Sequence, residues 1–135
     1  MATGELGRDN LRRALEGFAQ ALAIDDSSYP AFVRDVIDNG RIQKFECCVE
    51  LFWKHLRGCL VAEGLDVPNS PRAAFKAGLE RGFITELDYP AVLELIADRN
   101  TCSHIYRQSL IPGILARIPA HCTLMQGVAV RLHAT

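Results

Sequence analysis

Arg41-Ile42-Gln43-Lys44-Phe45-Glu46-Cys47-Cys48-Val49-Glu50-Leu51-Phe52-Trp53-Lys54-His55-Leu56-Arg57-Gly58-Cys59-Leu60 is the stretch that decides the fold class of this chain. Ile42, Phe45, Val49, Phe52, Leu56 and Leu60 recur at steps of three and four, which lays them on one stripe of an α-helix. A half-buried strand would need alternation with a period of two, and none is sustained here or elsewhere in the chain. Glu46, Glu50 and Lys54 follow one another at intervals of four, and a glutamate placed four residues before a lysine is a favourable helical pair. The stretch therefore predicts an amphipathic helix with an acidic row beside its apolar stripe.

Working outward, the same kind of pattern repeats. Upstream, Tyr29-Pro30 marks the start of this segment, and Asn39-Gly40 is a point where it can break or loosen. Before it, Leu11, Leu15, Phe18 and Leu22 form a first apolar stripe, predicted to start near Asp9 or Asn10 as N-cap and to end at Asp25-Asp26-Ser27-Ser28. Downstream, Gly64 is placed to terminate the second segment. Ser70-Pro71 opens a short third segment as N-cap and first-turn proline, with Gly82 closing it. A fourth segment starts between Glu86 and Pro90 and runs through Arg99 towards His104. The fifth starts near Ser109, because Pro112 belongs in a first turn. It carries Leu115, Ile118, Cys122, Met125 and Val128 or Val130 inward, with a kink expected at Pro119. Short connections between long amphipathic helices make sequential neighbours antiparallel. The prediction is all-α: an up-and-down four-helix bundle with a short additional helix, in one domain over residues 1–135.

Composition narrows the function. Charged residues make up 23% of the chain and the formal net charge is −1, so no global basic field exists to hold nucleic acid. A nucleic-acid contact would need a local patch, which oligomerisation can complete. The five cysteines are odd in number, and no secretory signal accompanies them. They read as reduced core thiols in a cytoplasmic protein. No apolar run approaches the ~20 residues of a membrane span, so no membrane association is expected.

Against this apolar background, Arg99-Asn100-Thr101-Cys102-Ser103-His104-Ile105-Tyr106 brings a guanidinium, an amide, an imidazole and a phenol to the end of the fourth segment. Histidine can accept and donate a proton near neutral pH, and arginine forks onto phosphate oxygens. Together they suffice for phosphodiester cleavage without a metal, and in RNA the 2′-OH is a built-in nucleophile. Glu46 or Glu50, on a facing helix, can orient Arg99. The plain alternative is a helix end capped by polar residues, and for Glu46, Glu50 and Lys54 a solvated or interface row.

Cys102-Ser103-His104 and His121-Cys122 match no common zinc spacing, and no metal is expected. His55 and His133 read as surface residues, and Trp53 as core or interface. Neither G-x-x-x-x-G-K-[ST] nor G-x-G-x-x-G occurs, so no cofactor is signalled.

In order along the chain stand Ile42-Gln43-Lys44-Phe45-Glu46, Glu50-Leu51-Phe52-Trp53-Lys54, Ser70-Pro71-Arg72, and Asp98-Arg99-Asn100 with His104 and Tyr106. This ordered set, spanning roughly Leu11 to Val130, resembles the HEPN superfamily in its nucleotidyltransferase substrate-binding branch. The resemblance implies a helical bundle that forms a homodimer, with the R-x4-H-x-Y motif in a cleft at the two-fold interface. It also implies a minimal nucleotidyltransferase as partner, the two forming a toxin–antitoxin pair. In such pairs the helical protein is a metal-independent endoribonuclease. On that pattern Arg99 and His104 are the catalytic residues and Asn100 orients the site. Tyr106 is the residue that the partner modifies with AMP. The older family name implies a different role, a non-catalytic subunit that presents substrate to the nucleotidyltransferase. The chain departs from the family pattern at Arg107-Gln108 and in the prolines Pro112 and Pro119.

Overall fold

The stripe that opens the sequence reading is the buried face of the longest helix. The computed structural model describes residues 2–104 and 109–134, and within these the chain forms α1 (Ala2–Leu22), α2 (Ala31–Ala62), α3 (Pro71–Arg81), α4 (Tyr89–Cys102) and α5 (Ile111–His133). Phe45, Val49, Phe52, Leu56 and Leu60 are buried, and α2 touches every other helix. α1 and α4 flank α2 on either side, diagonal to one another and out of contact among the described residues, and α5 touches both. The all-α class predicted from the period is the class observed.

Contacts between helices give the directions. Gly7 of α1 lies by His55 of α2, and Phe18 lies by Phe45, so α1 and α2 are antiparallel. Phe45 stacks on His121, and His55 meets His133, so α2 and α5 run the same way across the diagonal. Asp98 meets His121, and Asp88 at the N-cap of α4 meets Arg131, so α4 opposes α5. The order is up, down, up, down, with α3 laid across α2 and α4.

Local chemistry explains most boundaries. The Ser70 hydroxyl accepts from the Ala73 amide at 3.2 Å, and Pro71 occupies the first turn of α3. Gly64 and Gly82 end α2 and α3 with φ of 94° and 91°, a region that side chains with a Cβ avoid.

Other boundaries differ from the sequence reading. Asn39-Gly40 does not break α2. Its neighbour Arg41 donates to the carbonyls of Ala21 and Ile24, both at 2.9 Å, and pairs with Asp26 and Asp38. This tie holds that turn of α2 onto the end of α1 and offsets the cost of a glycine in a helix. α1 begins at Ala2 rather than near Asp9, so Asp9 and Asn10 lie inside the helix. α5 carries Pro119 inside its span, as the apolar pattern on both sides of it predicted. α4 stops at Cys102, so His104 lies beyond the helix and its amide returns to the Thr101 carbonyl at 3.0 Å. Of the five free thiols, Cys48 and Cys122 are buried, Cys59 and Cys102 half-buried, and Cys47 exposed, so Cys47 is no core thiol. Among the described residues no helix is long and apolar enough to cross a membrane.

The cap and the stripe make measurable contributions. Ser70→Ala leaves the Ala73 amide without its acceptor and is expected to cost about 1 kcal/mol. Phe52→Ala removes a fully buried ring packed near Phe75 and is expected to cost about 3–5 kcal/mol. Urea unfolding of the two variants checks both values and their order.

Candidate functional site

The seam between α2 and the C-terminal end of α4 carries the polar groups. Arg99 sits in the last turn of α4, where a cation is favoured by the helix dipole. Its Nη2 pairs with Glu50 Oε1 of α2 at 2.7 Å, and both side chains are about two-thirds to three-quarters covered (28% and 32% exposed). Glu50 also meets Lys54 at 3.4 Å, so one carboxylate serves two cations. Arg99 Nε is buried and has no acceptor among the described residues, and the same holds for Nε1 of Trp53, three residues beyond Glu50. Two buried donors without acceptors among the described residues are unusual, because buried polar groups are normally paired.

Glu46, one turn before Glu50, faces the Cys102 end of α4. Burial pushes the Cys102 thiol up to about 11, and the charges of Glu46 and Asp98 add to that push against the opposing Arg99. Asn100 and His104 are both exposed. His104 follows the helix end rather than continuing its rows, so the angular separation of residues five apart on a straight helix does not apply to it. Tyr106 lies outside the described residues.

A buried charge cluster, absent from the sequence reading, involves the chain neighbour of Arg99. Asp98 is 6% exposed and accepts from Arg117 Nε and Nη2, both at 2.8 Å, and from His121 Nε2 at 2.7 Å. His121 is itself buried and stacks on Phe45 with ring centroids 5.4 Å apart. Burial works to raise the Asp98 carboxyl, but the hydrogen bonds and charges of Arg117 and His121 outweigh it and hold the group below its ordinary value. A signal for this cluster exists in the sequence. Asp98 stands three residues after the core residue Leu95, and Arg117 and His121 are spaced at four on α5. A carboxylate at a core position requires such partners.

The ligand atoms of Glu94, Asp98 and His121 lie within 4.8 Å of one another, the spacing of a metal site. The arrangement is better filled by protein than by a cation, since the Arg117 fork already occupies both oxygens of Asp98. Cys102, His104, His121 and Cys122 do not gather into a metal-binding group among the described residues, because His121 is turned onto Asp98.

His55 and His133 are not surface residues. Both are half-buried, and their Nε2 atoms face each other at 2.7 Å near the C-terminal end of α5. The sequence places them 78 residues apart, and only the parallel course of α2 and α5 brings them together. Burial, followed by the charges of His133 and Arg8, lowers His55 to about 4, and burial followed by Arg8 lowers His133.

The bundle has counterparts among known proteins. The family model for nucleotidyltransferase substrate binding protein like sequences matches residues 7–134. The chain belongs to that family. No curated protein matches it. Among solved structures, the chain is similar to the crystal structure of ttk003001694 from Thermus thermophilus. That structure has a TM-score of 0.78 and 29% identity, over 91% of this chain and 98% of the other. The family match takes in α2 to α5 whole and α1 from Gly7, so the Arg99–Glu50 pair and the Asp98 cluster both lie within the matched residues.

Two outcomes follow from the electrostatics. Asp98→Ala strands the buried His121 and one side of Arg117, and is expected to destabilise the fold by about 2 kcal/mol or more in urea unfolding. For His55 the folded value, about 4, lies below the ordinary 6.5, so the unfolded chain binds more protons between those values. Stability is therefore lost as pH falls from 6.5 towards 4, with the loss of the depressed Asp98 following at the acid end. Melting temperature measured across that range should fall less steeply in His55→Gln than in the unsubstituted protein.

Proposed function

We propose that this protein is a HEPN-type endoribonuclease that cleaves RNA without a metal and works with a minimal nucleotidyltransferase as its controlling partner. The observation that carries the reading is the state of Arg99. Its guanidinium is fixed on Glu50 at one edge, its Nε lacks an acceptor among the described residues, and the exposed His104 follows just past the helix end. An acceptor with several oxygens, such as a phosphodiester, suits a fork with one edge already anchored.

In this mechanism His104 takes the proton from the RNA 2′-OH as that oxygen attacks phosphorus, and Arg99 stabilises the charge growing on the phosphoryl oxygens. The phosphorus–O5′ bond breaks and O5′ takes up the proton that His104 removed, returned directly or through water, leaving a 2′,3′-cyclic phosphate and a 5′-hydroxyl end. Glu50 orients Arg99, with Glu46 and Asn100 supporting the same seam. The net charge of −1 leaves one copy with little field for RNA, so a homodimer that juxtaposes two such seams supplies the local patch. AMP on Tyr106, seven residues along the chain from Arg99, would add an anion able to compete for the guanidinium and silence the site.

A second reading has its own support, in the family description and in the Arg99–Glu50 pair. A cation already neutralised by a carboxylate is a weak phosphate ligand, and the family name describes a substrate-binding subunit. In that reading the bundle presents substrate to the nucleotidyltransferase and cleaves nothing.

Incubation of the purified protein with RNA in excess EDTA separates the two. The ribonuclease reading predicts cleavage to cyclic-phosphate ends, reduced at least about a hundredfold by His104→Ala or Arg99→Ala. Intact RNA in that assay, together with a stable complex with the nucleotidyltransferase, would establish the binding subunit instead.

A further inference from the structure

Ser70 and Pro71 build the start of α3, but Arg72, next in the chain, is left over. It stands exposed in the first turn, and its side chain makes no hydrogen bond or ion pair among the described residues. Lys76 lies four residues on, so it shares that face of α3, and it too is exposed and unpaired among the described residues. Contacts along α2 connect this face to Arg99. Arg57 Nε donates to the carbonyls of Val67 at 3.0 Å and Pro68 at 3.2 Å, which fixes its guanidinium beside the residues that lead into α3. Its two Nη atoms have no acceptor among the described residues. Lys54 stands three residues before Arg57 on the same face of α2. It shares Glu50 with Arg99, at 3.4 Å and 2.7 Å respectively.

We propose that Lys54, Arg57, Arg72 and Lys76 form a phosphate track that holds an RNA strand by its backbone and leads it to Arg99. The inference rests on the ribonuclease reading of Arg99. The track starts at the reactive guanidinium, because Lys54 and Arg99 meet on one carboxylate. From Glu50 to Arg57 it runs about 10 Å along the axis of α2, and it continues onto α3 where Arg57 holds the chain before Ser70.

The charge balance along this line suits a polyanion. The chain as a whole has a net charge of −1, so any field for RNA must come from cations gathered locally. Glu50 is shared between two cations, and Glu63 is held by Arg81 at 2.7 Å. Asp66 and Glu80, the remaining carboxylates close by in the chain, form no ion pair with Arg57, Arg72 or Lys76 among the described residues. Arg57 is anchored through Nε with its fork still open, and a fixed fork suits phosphate oxygens, whereas lysine acts on them as a point charge. Phe52 and Trp53, the aromatic residues beside Lys54, are buried, so bases have nothing to stack on there. Such a track fixes the register of the strand through phosphates and reads no sequence.

Fluorescence anisotropy with a labelled RNA oligonucleotide carrying a 2′-O-methyl group on every ribose tests this directly, because the blocked nucleophile keeps the bound strand intact. Affinity is read in EDTA over a series of salt concentrations. Its logarithm should fall linearly with the logarithm of salt, by about 0.7 for each phosphate neutralised. Lys54→Gln, Arg72→Gln and Lys76→Gln should each weaken binding at least about threefold at low salt and flatten the slope by about 0.7, with the circular dichroism unchanged. Arg13→Gln removes the same charge from an exposed position of α1, which does not touch α3 among the described residues, and should leave affinity and slope as they were. No binding at low salt, a slope that Arg72→Gln and Lys76→Gln leave unchanged, or equal losses in Arg13→Gln would overturn the track. Flattened slopes in these variants alongside intact unmodified RNA in EDTA would instead overturn the ribonuclease reading and leave the phosphate contacts standing.

Discussion

The buried stripe of α2 is the constraint on which the rest of the molecule depends. Phe45, Val49, Phe52, Leu56 and Leu60 must all leave water at once, and a single helix can do that only by packing on several others. α2 touches all four, which fixes the diagonal it shares with α5 and the antiparallel course of α1 and α4 on either side. Everything chemically notable is a by-product of that placement. Glu50 is one residue past Val49 of the stripe, so it emerges at the α2–α4 seam, where it meets Arg99. His55 is one residue before Leu56, so it emerges on the α5 side, where it meets His133.

The seam places charge over charge in layers. Asp98 is buried under the fork of Arg117 and the ring of His121, and its chain neighbour Arg99 pairs elsewhere, with Glu50. Removing either anion would leave a cation half-covered without compensation, which costs more than the pair contributes in water. The Asp98 cluster anchors the last turn of α4 to α5, and that turn is the platform from which Arg99 projects. His104 leaves the helix two residues past Cys102, so its position is set by the turn that follows rather than by the helix period.

The sequence was legible where one rule acts locally. The 3.6-residue period placed the helices and nearly all of the α2 stripe, and the Ser70-Pro71 start and the Gly64 and Gly82 stops were readable because a cap or a positive φ restricts residue choice. It was not legible where a distant partner decides. Asn39-Gly40 read as a point of break or loosening, and what decides between them, Arg41's hold on the α1–α2 turn, is tertiary. Asp98 was passed over because its partners lie 19 and 23 residues away on another helix. His55 and His133 looked like surface residues because nothing local in either segment announces the other. Arg99 was singled out by its position at the polar end of an apolar segment, whereas its pairing with Glu50 rather than Glu46 needed the register of α2 against α4.

The central claim is that Glu50 and Arg99 act as one unit on RNA. A double-substitution cycle with Arg99→Lys and Glu50→Gln, read in single-turnover cleavage rates with EDTA present, tests it most directly. A functional pair predicts losses that fall short of additive in the double variant, with a coupling of about 1–3 kcal/mol. Fully additive losses, or rates that none of the substitutions changes, would contradict it.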